Sequence, residues 1–354
     1  MKLQTLGFNS WFEQRYKEFI KPDQNIARIT AVSKGSYLVR NENGEVFSEL
    51  AGEFRFFADS ANKYPVVGDW VFVQYYNSNT FAIIYDLLPR KTILRRKTAG
   101  KKVDYQVIAS NIDAAFIIQS CDFNFNLPRL ERYLVMVNDS HIEPVILLSK
   151  SDLMSQRDLE NSILEIRNTG IKCETIAYSI KTGLGLPEIQ QVLEPGKTYC
   201  LLGSSGVGKT TLLNRLIGRN AFRTNLVREK DSKGRHTTAR RQLVVLDQGS
   251  LLIDTPGMRE LGNISVKSGI EESFSDVLVL SKECRFNDCT HTNEVGCSVL
   301  RAVKSGEISE THYQSFLKLK RESEHYQMSY IEKRGKDRKF GRFIKSAMKQ
   351  SKKK

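Results

Sequence analysis

The chain has 354 residues, 40% of them apolar and 27% charged, with 23 glycines, 8 prolines and a formal net charge of +14. That length suggests two or three domains, each large enough to bury a core, and the composition excludes a collagenous or wholly disordered chain. No stretch approaches the ~20 apolar residues that cross a bilayer, and Met1 to Asn9 hold no continuous apolar segment, so a cytoplasmic protein without signal peptide or membrane partner is expected.

The first element expected is an amphipathic helix around Trp11–Tyr16. Five short strand-like runs follow: Arg28–Val32, Tyr37–Arg40, Val46–Glu49, Asp69–Tyr76 and Thr80–Leu88. Turn signals such as Asn41-Glu42-Asn43-Gly44 separate them, and that spacing predicts a small closed β-barrel of OB type over residues 1–90. More than half of all aromatic residues fall in this first quarter. They serve either as platforms on which bases stack or as an aromatic barrel core, and both readings stay open here.

After a basic link, Arg90 to Lys97, apolar runs alternate with helix-like segments. Strands are expected over Ala114–Gln119, Pro144–Leu148, Ile171–Ala177, Thr198–Leu202, Leu243–Asp247 and Leu251–Ile253. Helices are expected over Leu127–Asn138, Gln156–Thr169, Leu186–Leu193 and Lys209–Ile217. This alternation predicts a parallel sheet covered on both faces, over residues 91–264. The text then turns helical and polar through 265–330, is broken by a Cys/His cluster, and resumes as a charged helix over Ser309–Ile331. In a tail over 331–354 the charge is concentrated: from Tyr330 to Lys354 eleven Lys/Arg face two acids. Such a block either meets phosphate or stays solvated.

The sharpest motif is Gly203-Ser204-Ser205-Gly206-Val207-Gly208-Lys209-Thr210, with an apolar run before it and a helical run, from Thr211, after it. Glycines let the backbone wrap a phosphate, its N–H groups form an anion nest, and the helix that follows aims its positive end at the charge. Lys209 is expected to reach the β- and γ-phosphates and the Thr210 hydroxyl to coordinate Mg²⁺, with Thr211 beside them on the nucleotide. Farther on, Asp254 in Asp254-Thr255-Pro256-Gly257 ends a buried strand, where an acid holds Mg²⁺ through water; Gly257 offers its N–H to the γ-phosphate. Between the two lies Gly234-Arg235-His236-Thr237-Thr238, in which Thr237 or Thr238 is the candidate third Mg²⁺ ligand and γ-phosphate sensor.

Base choice is read from Ser149-Lys150-Ser151-Asp152, which approximates the guanine-reading N-K-x-D. Asp152 accepts from guanine N1–H and N2–H₂, the Lys150 stem lies over the base, and Ser149 stands where Asn is expected. Ser179-Ile180-Lys181-Thr182-Gly183 supplies further contacts to the base, with Ser179 the residue singled out. These base-reading segments precede the phosphate loop, the reverse of an ordinary GTPase. The same sheet forms if the chain is circularly permuted.

Cys284, Cys289, His291 and Cys297 lie close together in sequence. Three thiolates and one imidazole suit tetrahedral Zn²⁺ in a closed structural site; the plain alternative is three buried thiols and a surface histidine.

In their order, these motifs resemble those of the RsgA (YjeQ-type) circularly permuted GTPases, as does Asn126-Leu127-Pro128-Arg129-Leu130-Glu131-Arg132-Tyr133. The resemblance implies a multidomain α/β protein: an OB-type barrel touching ribosomal RNA, a circularly permuted P-loop GTPase domain and a C-terminal helical zinc-binding domain. It implies GTP and GDP as ligands, one structural Zn²⁺, and Mg²⁺ with the nucleotide. The partner would be the small ribosomal subunit with its 16S rRNA, acting late in its maturation and stimulating GTP hydrolysis, which drives release. A monomer is expected. Gly257 is followed by Met258, which has no group to orient water, so the resemblance points to His236 as the catalytic replacement beside Lys209 and Gly257. The chain departs from the family pattern at Ser149, for Asn, and at Val295, where Pro is frequent. Two other classes remain in play: an RNA-binding protein that carries nucleotide only as a structural ligand, and an ATP-dependent RNA factor.

Overall fold

The computed structural model describes residues 2–33, 35–57, 60–97, 105–122, 125–218, 241–254 and 267–327. Helix α1 (Ser10–Phe19) begins where the Asn9 side chain accepts a hydrogen bond from the Trp11 amide. Strands β1 (Asn25–Ser33), β2 (Ser36–Asn41) and β3 (Gly44–Leu50) lead into a short helix, α2 (Gly52–Phe57), and then into β4 (Trp70–Tyr76) and β5 (Phe81–Leu87). The order β1-β2-β3-β5-β4, with β4 returning to β1, closes the five-stranded barrel expected from the sequence. Its interior is aliphatic: Ala27, Ile29, Val39, Val71, Val73, Ala82 and Ile84 are fully buried. The aromatic residues divide. Phe8 and Phe12 pack on Trp70 at 4.8 and 6.0 Å between ring centroids and Tyr16 stacks on Phe72 at 5.8 Å, so that α1 seals one flank of the barrel. Phe47 and Phe81 stack at 6.1 Å, with Phe47 44% exposed.

The segment read as a basic link is a strand. β6 (Ile93–Lys97) pairs antiparallel with β7 (Tyr105–Ser110), and Thr92 and Leu94 are buried. The alternation is there in the sequence, hidden among flanking arginines and lysines.

Next come β8 (Ala114–Ser120), α3 (Leu127–Asp139), β9 (Glu143–Ser149), α4 (Gln156–Asn168), β10 (Thr175–Tyr178), α5 (Leu186–Val192), β11 (Thr198–Leu202), α6 (Lys209–Ile217), β12 (Gln242–Val245) and β13 (Leu251–Asp254). Strands β10-β9-β8-β11-β13 are all parallel, so Ser149, Tyr178, Leu202 and Asp254 end at one edge. In open α/β sheets that edge is where ligands bind. The expectation of a wholly parallel sheet needs correction at β12, which runs antiparallel to β13. A tight turn closed by Leu246 N–H to Ser250 O (2.8 Å) joins the two, and so short a connection permits only antiparallel pairing. The strand expected over Ile171–Ala177 is also shorter and later, at Thr175–Tyr178. β12 meets β1 of the barrel through Ala31 and Gln242, so barrel and α/β sheet form one sheet of eleven strands.

The C-terminal helices are α7 (Lys267–Ser273), α8 (Ser275–Ser281), α9 (Ser298–Ser305) and α10 (Glu310–Gln327). The basic tail lies outside the described residues. This unit docks on α3. Gly269 of α7 sits where a Cβ would lie 2.1 Å from the Val135 carbonyl oxygen, so only glycine permits the approach. Arg132 of α3 pairs bidentately with Glu322 at 2.6 and 2.8 Å. Between these contacts His312, 1% exposed, lies 2.5 Å from Glu131 through Nδ1 and 3.2 Å from Asp276 through Nε2, with the Phe274 ring stacked on it at 4.7 Å.

Burial alone would push the His312 pKa down; the hydrogen bonds to Asp276 and Glu131 outweigh it and raise the value to about 9. A group raised on folding stabilises fully below its unfolded pKa of about 6.5, and the contribution fades as pH climbs through the folded value. Wild type should therefore lose up to about 3 kcal/mol of unfolding free energy from pH ~6.5 to ~9.5 relative to His312→Gln. Chemical denaturation of both proteins across that range checks it; parallel pH profiles would remove the charged imidazole from the joint.

Candidate functional site

All five residues of β11 are buried, and the strand delivers the chain to Gly203 at the ligand edge of the sheet. Gly203 has φ 148°, and a Cβ there would stand 2.5 Å from the Ile118 carbonyl oxygen. Gly208, at φ 96°, opens α6 without a side-chain cap, and the positive end of a helix favours an anion. Val207 is fully buried and anchors the loop; Ser205 and Gly206 are exposed at its tip. Lys209 doubles back, and its Nζ donates to the carbonyls of Gly203 (2.8 Å) and Ser204 (2.7 Å), so the loop curls around its own cation. Thr210, half-buried, and Thr211, exposed, follow on the first turn of α6.

Asp254, 9% exposed, ends β13 beside this loop. Burial pushes its pKa up and the Lys209 charge pulls it back. Lys209 and Thr210, at the start of α6, and Asp254, at the end of β13, thus lie at the same edge of the sheet. His236, Thr237, Thr238 and Gly257 lie outside the described residues.

The base-reading segments end on the neighbouring strands. Lys150 takes a left-handed conformation, φ 57°, and its Nζ donates to Asp122 at 2.9 Å; Asp122 also accepts from Ser120 Oγ at 2.8 Å. Asp152 is exposed and accepts from Ser179 Oγ at 2.6 Å, while Ser179 Oγ accepts from the amides of Lys181 and Thr182 at 3.2 and 3.3 Å. Ser179 therefore ties the two base-side loops together. Ser151 is buried. Ser149 is also buried, and its hydroxyl lies 2.7 Å from the carbonyl oxygen of Val207 and 3.2 Å from that of Gln119. Sequence reasoning missed Asp122 and Tyr178. The first had a legible signal, an acid just past the end of a fully buried strand; the second reads in sequence only as one more apolar strand residue.

Cys284, Cys289, His291 and Cys297 converge, with their ligand atoms all within 4.8 Å of one another. Sγ of Cys284 and Sγ of Cys297 are 3.8 Å apart, and each lies near Nδ1 of His291, at 3.6 and 3.5 Å. A tetrahedral Zn²⁺ with Zn–S of about 2.3 Å and Zn–N of about 2.0–2.1 Å requires edges of ~3.8 and ~3.6 Å. The donor set fits zinc, and no disulfide competes for the thiols. His291 is 4% exposed rather than a surface residue, and Tyr313 Oη donates to its carbonyl at 2.5 Å. Burial pushes the Cys284 thiol up, but the amides of Ser298 and Val299 at the start of α9 and the hydrogen bonds from Cys297 and Cys289 hold it below its usual value. Glu294 closes the intervening turn by accepting from the amides of Thr290, Thr292 and Asn293. Val295 is 78% exposed, so its departure from Pro touches only a surface turn.

The RsgA GTPase family model matches residues 87–264. The chain is 42% identical over 329 residues to the Small ribosomal subunit biogenesis GTPase RsgA 1 of Listeria innocua, covering 91% of this chain and 89% of that one. It is 36% identical over 349 residues to the Small ribosomal subunit biogenesis GTPase RsgA 2 of Vibrio parahaemolyticus, covering 98% and 92%. Among solved structures, YjeQ from Thermotoga maritima superposes with a TM-score of 0.63 at 26% identity, over 84% of this chain and 97% of that one. YloQ, a circularly permuted GTPase, shares the fold with a TM-score of 0.61 at 24% identity.

Elemental analysis of purified protein should find about one equivalent of zinc, as a closed Cys₃His site requires. Cys297→Ser should lose the metal and lower the melting temperature by several degrees, because binding energy at such a site is folding energy. Full metal content in that variant would exclude Cys297 as a ligand.

Proposed function

The chain belongs to the RsgA GTPase family and is a GTP hydrolase; from that premise we propose that it serves as a late assembly factor of the small ribosomal subunit, binding its 16S rRNA and hydrolysing GTP there to drive its own release. The observation that carries the reading is convergence: the phosphate loop with Lys209, the acid Asp254 and the base-side pair Asp152–Ser179 all lie at the same edge of one parallel sheet. In this reading residues 1–90 grip RNA, 91–264 hydrolyse GTP, 265–330 form the zinc-stabilised unit and 331–354 add phosphate contacts. The protein acts as a cytoplasmic monomer.

The amides of Gly203 to Thr210 cradle the phosphates, with Thr211 alongside. Lys209 exchanges the carbonyls of Gly203 and Ser204 for β- and γ-phosphate oxygens, substituting one set of acceptors for another without leaving its charge unpaired. Asp152 accepts from guanine N1–H and N2–H₂, a pattern adenine does not present, with Ser179 holding its loop and Ser151 buried beside it in sequence. Lys150 lays its stem over the base, and Asp122 restrains its ammonium. Thr210, Asp254 and Thr237 or Thr238 would hold Mg²⁺, which would supply charge neutralisation at the β- and γ-phosphates. Gly257 donates its amide to the γ-phosphate. His236 orients the attacking water once the subunit positions it, because Met258 has no group for the task. Four protein ligands would leave a zinc ion no open position, so Cys284, Cys289, His291 and Cys297 take no part in the chemistry.

GTP turnover should be slow alone, rise strongly with small subunits and stay low with large subunits. His236→Ala should abolish the stimulated rate while nucleotide affinity persists; undiminished stimulation would reject that residue. In competition binding, Asp152→Asn should shift preference from GTP to xanthosine triphosphate, and equal affinity for ATP in wild type would refute guanine reading. Removing the residues after Tyr330 should weaken RNA binding and flatten its salt dependence, since each phosphate contact contributes about −0.7 to −0.9 to the log–log slope. An unchanged slope would return the tail to solvent.

A further inference from the structure

Ser149 stands where the guanine motif carries Asn, yet its hydroxyl is directed to the carbonyls of Val207 and Gln119 and not to the loop that holds Asp152. It ends β9, in parallel register with Ser120 of β8 on one side and Tyr178 of β10 on the other. Its hydroxyl donates to the Val207 carbonyl at 2.7 Å, and the fully buried Val207 side chain plugs the phosphate loop into the core. Tyr178, 1% exposed, fills the space beside it. The phenol oxygen lies 4.0 Å from where a Cβ on Gly208 would stand, and burial pushes the phenol's pKa up while Ser149 works against the rise. A short hydroxyl and a large ring together occupy the place at which the strand ends meet the back of the phosphate loop.

We propose that Ser149 is a positioning residue for the phosphate loop, a strut whose length is matched to the bulk of Tyr178, and not a reader of the base. The proposal rests on the reading that residues 203–210 hold GTP. The strut fixes Val207, and through it Gly208 and the first amides of α6, at one height relative to the base-side loops. Removing the hydroxyl leaves the Val207 carbonyl without that donor in a buried setting. Asn at the same position keeps a donor but is longer, so it must displace the Tyr178 ring.

The test uses the full-length protein and compares Ser149→Ala, Ser149→Val, Ser149→Thr and Ser149→Asn, the last with and without Tyr178→Thr. Calorimetry measures GDP, GTP and xanthosine triphosphate, and thermal melting without nucleotide monitors the fold. Ser149→Val should bind GDP and GTP about tenfold more weakly, with the ratio of GTP to xanthosine triphosphate unchanged; Ser149→Thr, which has the same shape and keeps the hydroxyl, should bind as wild type does. Ser149→Ala should follow Ser149→Val. Ser149→Asn should lose affinity, and pairing it with Tyr178→Thr should recover it. Wild-type affinity for GDP in Ser149→Val, or a changed base preference in place of a general loss, overturns the proposal. Failure of the wild type itself to bind GDP would fall on the site reading, which that titration checks separately.

Discussion

A single buried guanidinium sets the geometry on which the site depends. Arg28 of β1 is 1% exposed and donates to three carbonyls from three separate parts of the chain: Leu6 (2.5 Å), Gly68 (3.1 Å) and Asn111 (3.0 Å). Burial lowers its pKa to about 10, with Asp113 and Asp69 working against the loss, so it stays charged under physiological conditions. Asp69, itself buried, takes a bidentate pair from Arg90 at 2.7 Å and a hydrogen bond from Ser110 Oγ at 2.5 Å. Gly68 touches the same place, where a Cβ would lie 2.2 Å from the Ser110 carbonyl oxygen. A buried charge without these acceptors would cost several kcal/mol, so the barrel has one seat against the α/β sheet. Two residues on from Asn111, Asp113 accepts from the Thr198 amide at 2.9 Å and pins the strand that carries the phosphate loop. Barrel seating and loop position belong to one polar network.

The site gains from parallel strands. Each of β9, β10, β11 and β13 ends at the same edge, so residues far apart in sequence meet with no element built for the purpose. Chain order matters little to such a sheet. Base-side loops that come first and a phosphate loop that comes later make the same pocket edge as the reverse order would. What the order changes is the exit: β13 leads on toward α7, which packs against α3, so the strand bearing Asp254 is near in sequence to the C-terminal unit.

Much of this was legible. The phosphate loop, the Cys₃His set and the five barrel strands are written in local patterns whose physics is short-range: glycines at positive φ, ligand spacing, strand–turn alternation. What escaped was non-local. Thr92 and Leu94 mark β6, but their neighbours Arg90, Arg95 and Arg96 mask the alternation until the pairing with β7 is seen. The antiparallel course of β12 depends on a hairpin with β13 and a bridge to the barrel, neither visible in its four residues. The early aromatics could not be apportioned between core and surface because only the seating of α1 decides it. In sequence Ser149 reads only as a departure from Asn in the base motif; its contact with Val207, fifty-eight positions away, gives it another part.

The docking of the C-terminal helices on α3 has a bearing on how the protein can be dissected. Val135, fully buried, belongs to the apolar cluster of Phe274, Val277 and Phe316, and the Glu131 carboxylate next to it is shielded by His312. A fragment truncated before α7 would lose every partner of Val135 in that cluster and so bare Val135 together with an unmatched carboxylate on a helix otherwise packed in the sheet's own core. Such a piece would be prone to self-association, and its behaviour in solution would report on the wound left by the cut rather than on the enzyme.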